Sequence, residues 1–138
     1  MSGQQVGEPE SVPIAVDADV VRVRQAVRAL AQTARLSLVD QTKFVTAASE
    51  LARNTLVYGG GGEAVLTLVS DARRTGVRVR FSDDGPGIGD LDLAMTDGYT
   101  SGNGLGLGLS GARRLVETFT IDTAPGAGTR IEITSWSR

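Results

Sequence analysis

Glu50 and Asn54 stand four residues apart in the run Glu50-Leu51-Ala52-Arg53-Asn54. In a helix turning by about 100° per residue, that spacing brings a carboxylate and a carboxamide onto one face. Such a pair can share a hydrated Mg²⁺, a hard ion that takes oxygen ligands, keeps several waters and bridges to phosphates. The same carboxylate can accept the proton of an attacking hydroxyl. The plainer alternative is that Glu50 pairs with Arg53 on a solvated helix surface while Asn54 is merely hydrated.

A second cluster is Asp83-Asp84-Gly85-Pro86-Gly87, followed by the run Gly102-Asn103-Gly104-Leu105-Gly106-Leu107-Gly108. A carboxylate at a strand end, facing a pocket, can accept a hydrogen bond from the exocyclic amine of adenine, and such a buried contact separates adenine from guanine. Asp83 is favoured over Asp84 by its two-residue spacing to Gly85. Asp-Gly and Gly-Pro pairs are also ordinary turn punctuation. Gly102, Gly104, Gly106 and Gly108 leave successive N–H groups free to point at phosphates where an apolar-periodic helix begins. Gly106 to Gly111 also fits the spacing of a dinucleotide-binding turn, but no strand immediately precedes it. A flexible linker would lack the alternating leucines.

The rest of the composition narrows the chemistry. A chain of 138 residues with 41% hydrophobic and 22% charged residues is one globular domain. A net charge of -2 provides no broad cationic surface, so nucleic acid is not an expected partner. Cysteine and histidine are absent, which excludes disulfides, thiolate zinc, phosphohistidine and imidazole bases. Lys43 is the sole lysine and follows threonine, which removes the P-loop and the protein-kinase lobe. No apolar run reaches the roughly 18 residues of a membrane span and no signal pattern opens the chain, so a cytoplasmic protein is expected.

The elements that must position these residues follow from periodicity. Residues 1–11 are polar with Gly3, Gly7 and Pro9 and are expected to be disordered, leaving 12–138 as a single domain. Val12 to Val16 reads as an edge strand. Asp17 or Asp19 can cap a helix over Val20 to Ala34, and Asp40 a second helix to about Tyr58, which Gly59 to Gly62 end. Strands are expected over Glu63 to Ser70, Val77 to Ser82, Thr120 to Ala124 and Thr129 to Trp136. Asp90 to Asp97 suggests a helical turn, Gly98 to Gly104 a movable lid, and Leu105 to Phe119 a third amphipathic helix. This order predicts an α/β two-layer sandwich, a mixed and largely antiparallel sheet with three main helices on one face.

Together these motifs resemble the GHKL ATP-binding family of gyrase, Hsp90, histidine kinases and MutL. Glu50 to Asn54 is similar to its N-box, Asp83 to Ile88 to its first glycine box, and Gly102 to Gly108 to its second. Gly128-Thr129 resembles the threonine motif that supports adenine recognition. Within that group the wording resembles the bacterial RsbT/RsbW kinases, nearer the RsbT branch. The resemblance implies a Mg²⁺-ATP-dependent serine/threonine kinase with Glu50 as base, Asn54 as metal ligand and Asp83 as adenine contact. Gly85, Gly87 and the second glycine run would cradle phosphate, and Thr129 would support the base. Implied partners are a STAS-domain antagonist in a partner-switching pathway controlling a stress-response sigma factor, and a PP2C-type phosphatase. The competing reading is an ATP-gated anti-sigma factor, which binds a sigma factor and transfers little phosphate. Asp84 and the Gly59 to Gly62 run depart from the usual family wording.

Overall fold

A computed structural model of the chain describes residues 4–89, 94–95 and 108–138. The elements run β1 (Gln4–Ile14), α1 (Asp17–Thr33), α2 (Leu38–Val57), β2 (Gly62–Ser70), β3 (Thr75–Asp83), α3 (Gly108–Arg114), β4 (Thr118–Thr123) and β5 (Thr129–Trp136). The strands form a five-stranded sheet in the order β1-β2-β3-β5-β4. Every pairing among the described residues is antiparallel, where a mixed but largely antiparallel sheet was expected.

Alternation along the strands sends one face to the helices. Val77, Val79 and Phe81 of β3 and Ile131 and Ile133 of β5 are buried in one cluster with Val23 and Val27 of α1, Phe44, Ala48 and Leu51 of α2, and Leu109 and Ala112 of α3. Side chains two apart share a sheet face, so the next inward positions are Asp83 on β3 and Thr129 on β5. The apolar layer thus runs out into polar residues at one end of the sheet.

The chain differs from expectation at four places. β1 starts at Gln4, so residues 4–11 are not a disordered tail: Gln4, Gln5 and Val6 pair with Ser70, Val69 and Leu68. Gly7 and Pro9, the apparent breakers, fall where the register shifts between Val6 and Glu10, a bulge that absorbs them. Ser37, rather than Asp40, caps α2, its Oγ accepting from the Asp40 N–H at 3.1 Å. In α1 neither aspartate is the cap residue, since Val16 occupies that position.

The third helix stops at Arg114. Leu115 closes a tight turn on the Ala112 carbonyl, and the Glu117 N–H already donates to the Thr134 carbonyl at 3.1 Å. Phe119 therefore reaches the core from β4, opposite Ile133. A Thr-Phe-Thr-Ile alternation fits a half-buried strand, and pairing with β5 outweighs the helical spacing of the same apolar residues. The turn expected over Asp90 to Asp97 falls mostly outside the described residues, and the lid over Gly98 to Gly104 lies wholly outside them.

Asp19 reaches back over the start of α1. Its Oδ2 accepts from the N–H groups of Ala15 at 2.9 Å and Val16 at 3.1 Å, and its other oxygen pairs with Arg22. The backbone bonds from Ala15 and Val16, ahead of Arg22, hold the carboxyl below the usual carboxylate range. A lowered folded pKa adds stability that is complete above the unfolded-chain value of about 4 and is lost as pH falls through the folded value. Asp19→Asn is expected to lower the thermal midpoint at neutral pH, with the gap from wild type closing in melts recorded at progressively more acidic pH. At the other end of α1, Arg35 is left-handed at φ 65° while the Leu36 N–H returns to the Ala31 carbonyl. That helix ending suits glycine, so Arg35→Gly is expected to raise unfolding free energy by about 1 kcal/mol in denaturant titration.

Candidate functional site

The site forms where the helix-facing side of the sheet becomes polar. Gly62, Asp83, Thr129 and Thr123 lie in one row across β2, β3, β5 and β4, each opposite the next. Over this row passes the C-terminal end of α2. The N–H groups of Tyr58 and Gly59 both return to the Asn54 carbonyl, at 2.9 and 3.2 Å.

Gly59 rests directly on Asp83. A Cβ there would lie 2.4 Å from the Asp83 Cγ and 2.6 Å from its Oδ2. Gly85 meets the same segment from the other side, its own added Cβ falling 2.8 Å from the Gly59 Cα. Two main chains touch with no side chain between them, which fixes the distance from α2 to the end of β3. Within the Gly59 to Gly62 run, unusual as sequence, Gly59, Gly61 and Gly62 are packing positions.

Asp83 is half-buried and Asp84 exposed. The Oδ1 of Asp83 accepts from the Gly85 N–H at 2.9 Å. This is the turn bond open to any Asp-x-Gly, and it leaves Oδ2 as a further acceptor. Gly87 has φ 74°, and an added Cβ there would strike the Ala124 carbonyl at 2.0 Å. The first glycine box is thereby held against the β4–β5 hairpin, where the Gly126 N–H also donates to the Pro86 carbonyl.

Glu50 and Asn54 are half-buried on α2, and Arg53 is exposed. Among the described residues no ion pair joins Glu50 to Arg53; the pairs present are Asp19–Arg22, Arg74 with Asp71 and Glu117, Arg80–Glu132 and Asp40–Arg138. Gly108 opens α3 at φ 69°. Gly102, Gly104 and Gly106 lie outside the described residues.

Sequence reasoning missed Thr123. Its Oγ1 accepts from the Ile88 N–H at 3.0 Å, lies 3.0 Å from the Gly128 carbonyl and 2.9 Å from the Thr129 hydroxyl. The hydroxyl joins the first glycine box to the final threonine motif. The alternation Phe119, Ile121, Thr123 held the signal, hidden once Phe119 was assigned to a helix.

Residues 39–137 match the family described as Histidine kinase-, DNA gyrase B-, and HSP90-like ATPase. The chain is 37% identical over 133 residues to the Serine/threonine-protein kinase RsbT of Bacillus subtilis (strain 168), across 96% of this chain and 100% of that one. The chain belongs to this ATPase family, in its RsbT branch of serine/threonine-protein kinases. The kinase is also 27% identical over 113 residues to the Anti-sigma F factor of Clostridium novyi (strain NT), covering 78% of this chain and 79% of that one. A solved structure of the RsbU and RsbW domains of a Mycobacterium tuberculosis protein superposes with a TM-score of 0.65 at 21% identity, over 96% of the kinase. The kinase spans 33% of that longer chain, and the likeness is one of fold.

The donor set of this ATP-binding domain suits a nucleotide with a hard cation. Among the described residues no three carboxylates or imidazoles converge to hold a metal unaided. Glu50 and Asn54 offer oxygens of the kind that complete a Mg²⁺ shell made mainly of phosphate and water. Because Gly59 has no room for a side chain, Gly59→Ala is expected to displace Asp83 and weaken ATP binding by about tenfold or more in calorimetric titration. Gly60 differs, with φ 75° and nothing within 4 Å of an added Cβ. Gly60→Ala is expected to cost about 1 kcal/mol of stability through backbone strain and to leave ATP affinity unchanged.

Proposed function

We propose that the protein is a Mg²⁺-ATP-dependent serine/threonine kinase acting in the cytoplasm on a STAS-domain antagonist protein. It would serve a partner-switching pathway controlling a stress-response sigma factor and, when released from that antagonist, activate a PP2C-type phosphatase. The observation that carries this reading is the full-length match to RsbT together with Glu50 and Asn54 on the half-buried face of the helix that ends against Asp83.

In this reading Asp83 and Thr129 orient the adenine, and the glycine boxes, with Gly85, Gly87 and Gly108 among the described residues, direct N–H groups at the phosphates. Asn54 and water would hold Mg²⁺, whose charge offsets that of the phosphates. Glu50 takes the proton of the serine or threonine hydroxyl. The hydroxyl oxygen then bonds to the γ-phosphorus as its bond to the β-phosphate bridging oxygen breaks, and ADP leaves. Transfer in this reading is direct from ATP to the hydroxyl, so positioning carries most of the rate.

The similarity to an anti-sigma F factor favours one second reading, an ATP-gated binder of a sigma factor with little transfer activity. One experiment separates the two. Purified protein is incubated with Mg²⁺, γ-labelled ATP and a STAS-domain protein encoded beside it. Wild type is expected to label a serine or threonine, and Glu50→Gln to slow transfer by about 10²-fold or more while ATP affinity changes by less than about threefold. ATP binding without transfer in wild type would favour the binder.

A further inference from the structure

We infer that Thr123 fixes the direction of a hydroxyl chain that turns Thr129 into a pure acceptor toward the bound base. Thr123, outside every glycine box, is then a positioning residue for the choice of adenine over guanine. This rests on the nucleotide-site reading given above.

A threonine hydroxyl carries one proton and two lone pairs. Around Thr123 Oγ1 lie the Ile88 N–H at 3.0 Å, the Gly128 carbonyl at 3.0 Å and the Thr129 hydroxyl at 2.9 Å. The amide can only donate and the carbonyl can only accept. If Thr123 gives its proton to the Gly128 carbonyl, its lone pairs serve Ile88 and Thr129, and Thr129 must be the donor of their mutual bond. All three contacts are then hydrogen bonds. In the opposite sense Thr123 donates to Thr129, and two oxygens face each other at the Gly128 carbonyl with no proton between them.

Gly128 cannot turn away to relieve that clash. It is buried, it has φ 77°, and an added Cβ would lie 2.2 Å from the Asp83 carbonyl. An unmet carbonyl in such a place is costly, which favours the first sense. The Thr129 proton is therefore committed to Thr123, and only its lone pairs remain for a ligand.

Thr129 stands directly opposite Asp83 on the helix-facing side of the sheet, and the Asp83 carboxylate is also an acceptor. Neighbouring acceptors suit the 6-amino group of adenine. They oppose the 6-oxo group of guanine, which would add a third acceptor. The polarity is set by Thr123, a residue that itself need not touch the base.

The test is equilibrium binding of Mg²⁺-ATP and Mg²⁺-GTP by calorimetry, without any acceptor protein. Wild type is expected to prefer ATP by about 10²-fold or more, the discrimination a hydrogen-bonding base site can provide. Thr123→Val, which removes the hydroxyl at nearly constant volume, is expected to narrow that ratio by about tenfold, and Thr123→Ser to restore it to within about threefold. An equal loss of ATP and GTP affinity in Thr123→Val would reduce Thr123 to a structural part and overturn the inference. A second readout needs no variant. In nucleotide-free wild type the Thr129 hydroxyl proton is expected to be exchange-protected, with nuclear Overhauser contacts to Thr123; a Thr123 proton directed at Thr129 overturns the inference. If wild type binds ATP and GTP alike, the inference falls and the nucleotide-site reading stands. If wild type binds neither nucleotide, both fall.

Discussion

The structure depends on a contact that leaves no room for a side chain on Gly59. Gly59, just past α2, lies against the Asp83 carboxylate and the Gly85 backbone, closer than any Cβ would permit. The helix carrying Glu50 and Asn54 and the strand carrying Asp83 are thereby held at one spacing. Interiors are close-packed and respond to changes of a single methyl group, so main chain on main chain leaves little slack. Specificity for a ligand needs that stiffness, because a polar group displaced by an ångström forfeits most of its preference.

The sheet supplies the second half of the arrangement. Its inward positions change from Val, Ile and Phe to Asp83, Thr129 and Thr123 at one edge of the core. Each strand obeys the same alternation across that change, so no bend or bulge is needed to aim the polar residues at the helices. The apolar layer fixes the strands in register, and register determines which polar side chains stand opposite one another. Thr129 and Thr123 meet because β4 and β5 pair through Thr123↔Thr129. This polar row is an extension of the core in which hydrogen bonds take the place of apolar contact.

Several elements were legible before any fold was in hand. Strands β2, β3 and β5 alternate openly, and α1 and α2 carry helical apolar spacing, so their types and approximate bounds follow from local pattern. The boundary between the third helix and β4 was not legible, since Leu115, Val116 and Phe119 fit a helical period while Thr118 to Thr123 also fits a strand. Gly7 and Pro9 concealed the first part of β1, because a bulge tolerates residues that would break a regular strand. Trp136 was uninterpretable alone; it lies opposite Gly76, where its ring covers the glycine and Arg74 stands 4.9 Å from the ring centre.

What the sequence determined by itself is the stock of chemistry and its order along the chain: a carboxylate and carboxamide one helical turn apart, an acid in a glycine turn, and no histidine or cysteine. These depend only on residue type and local spacing. The tertiary structure decided which of those groups meet. It set Gly59 on Asp83, placed Asp83 opposite Thr129, and drew Thr123 into the site through the pairing of β4 with β5. Such contacts join residues far apart in the chain. They arise from strand register and helix packing, which the whole apolar core fixes cooperatively and no short stretch of sequence encodes.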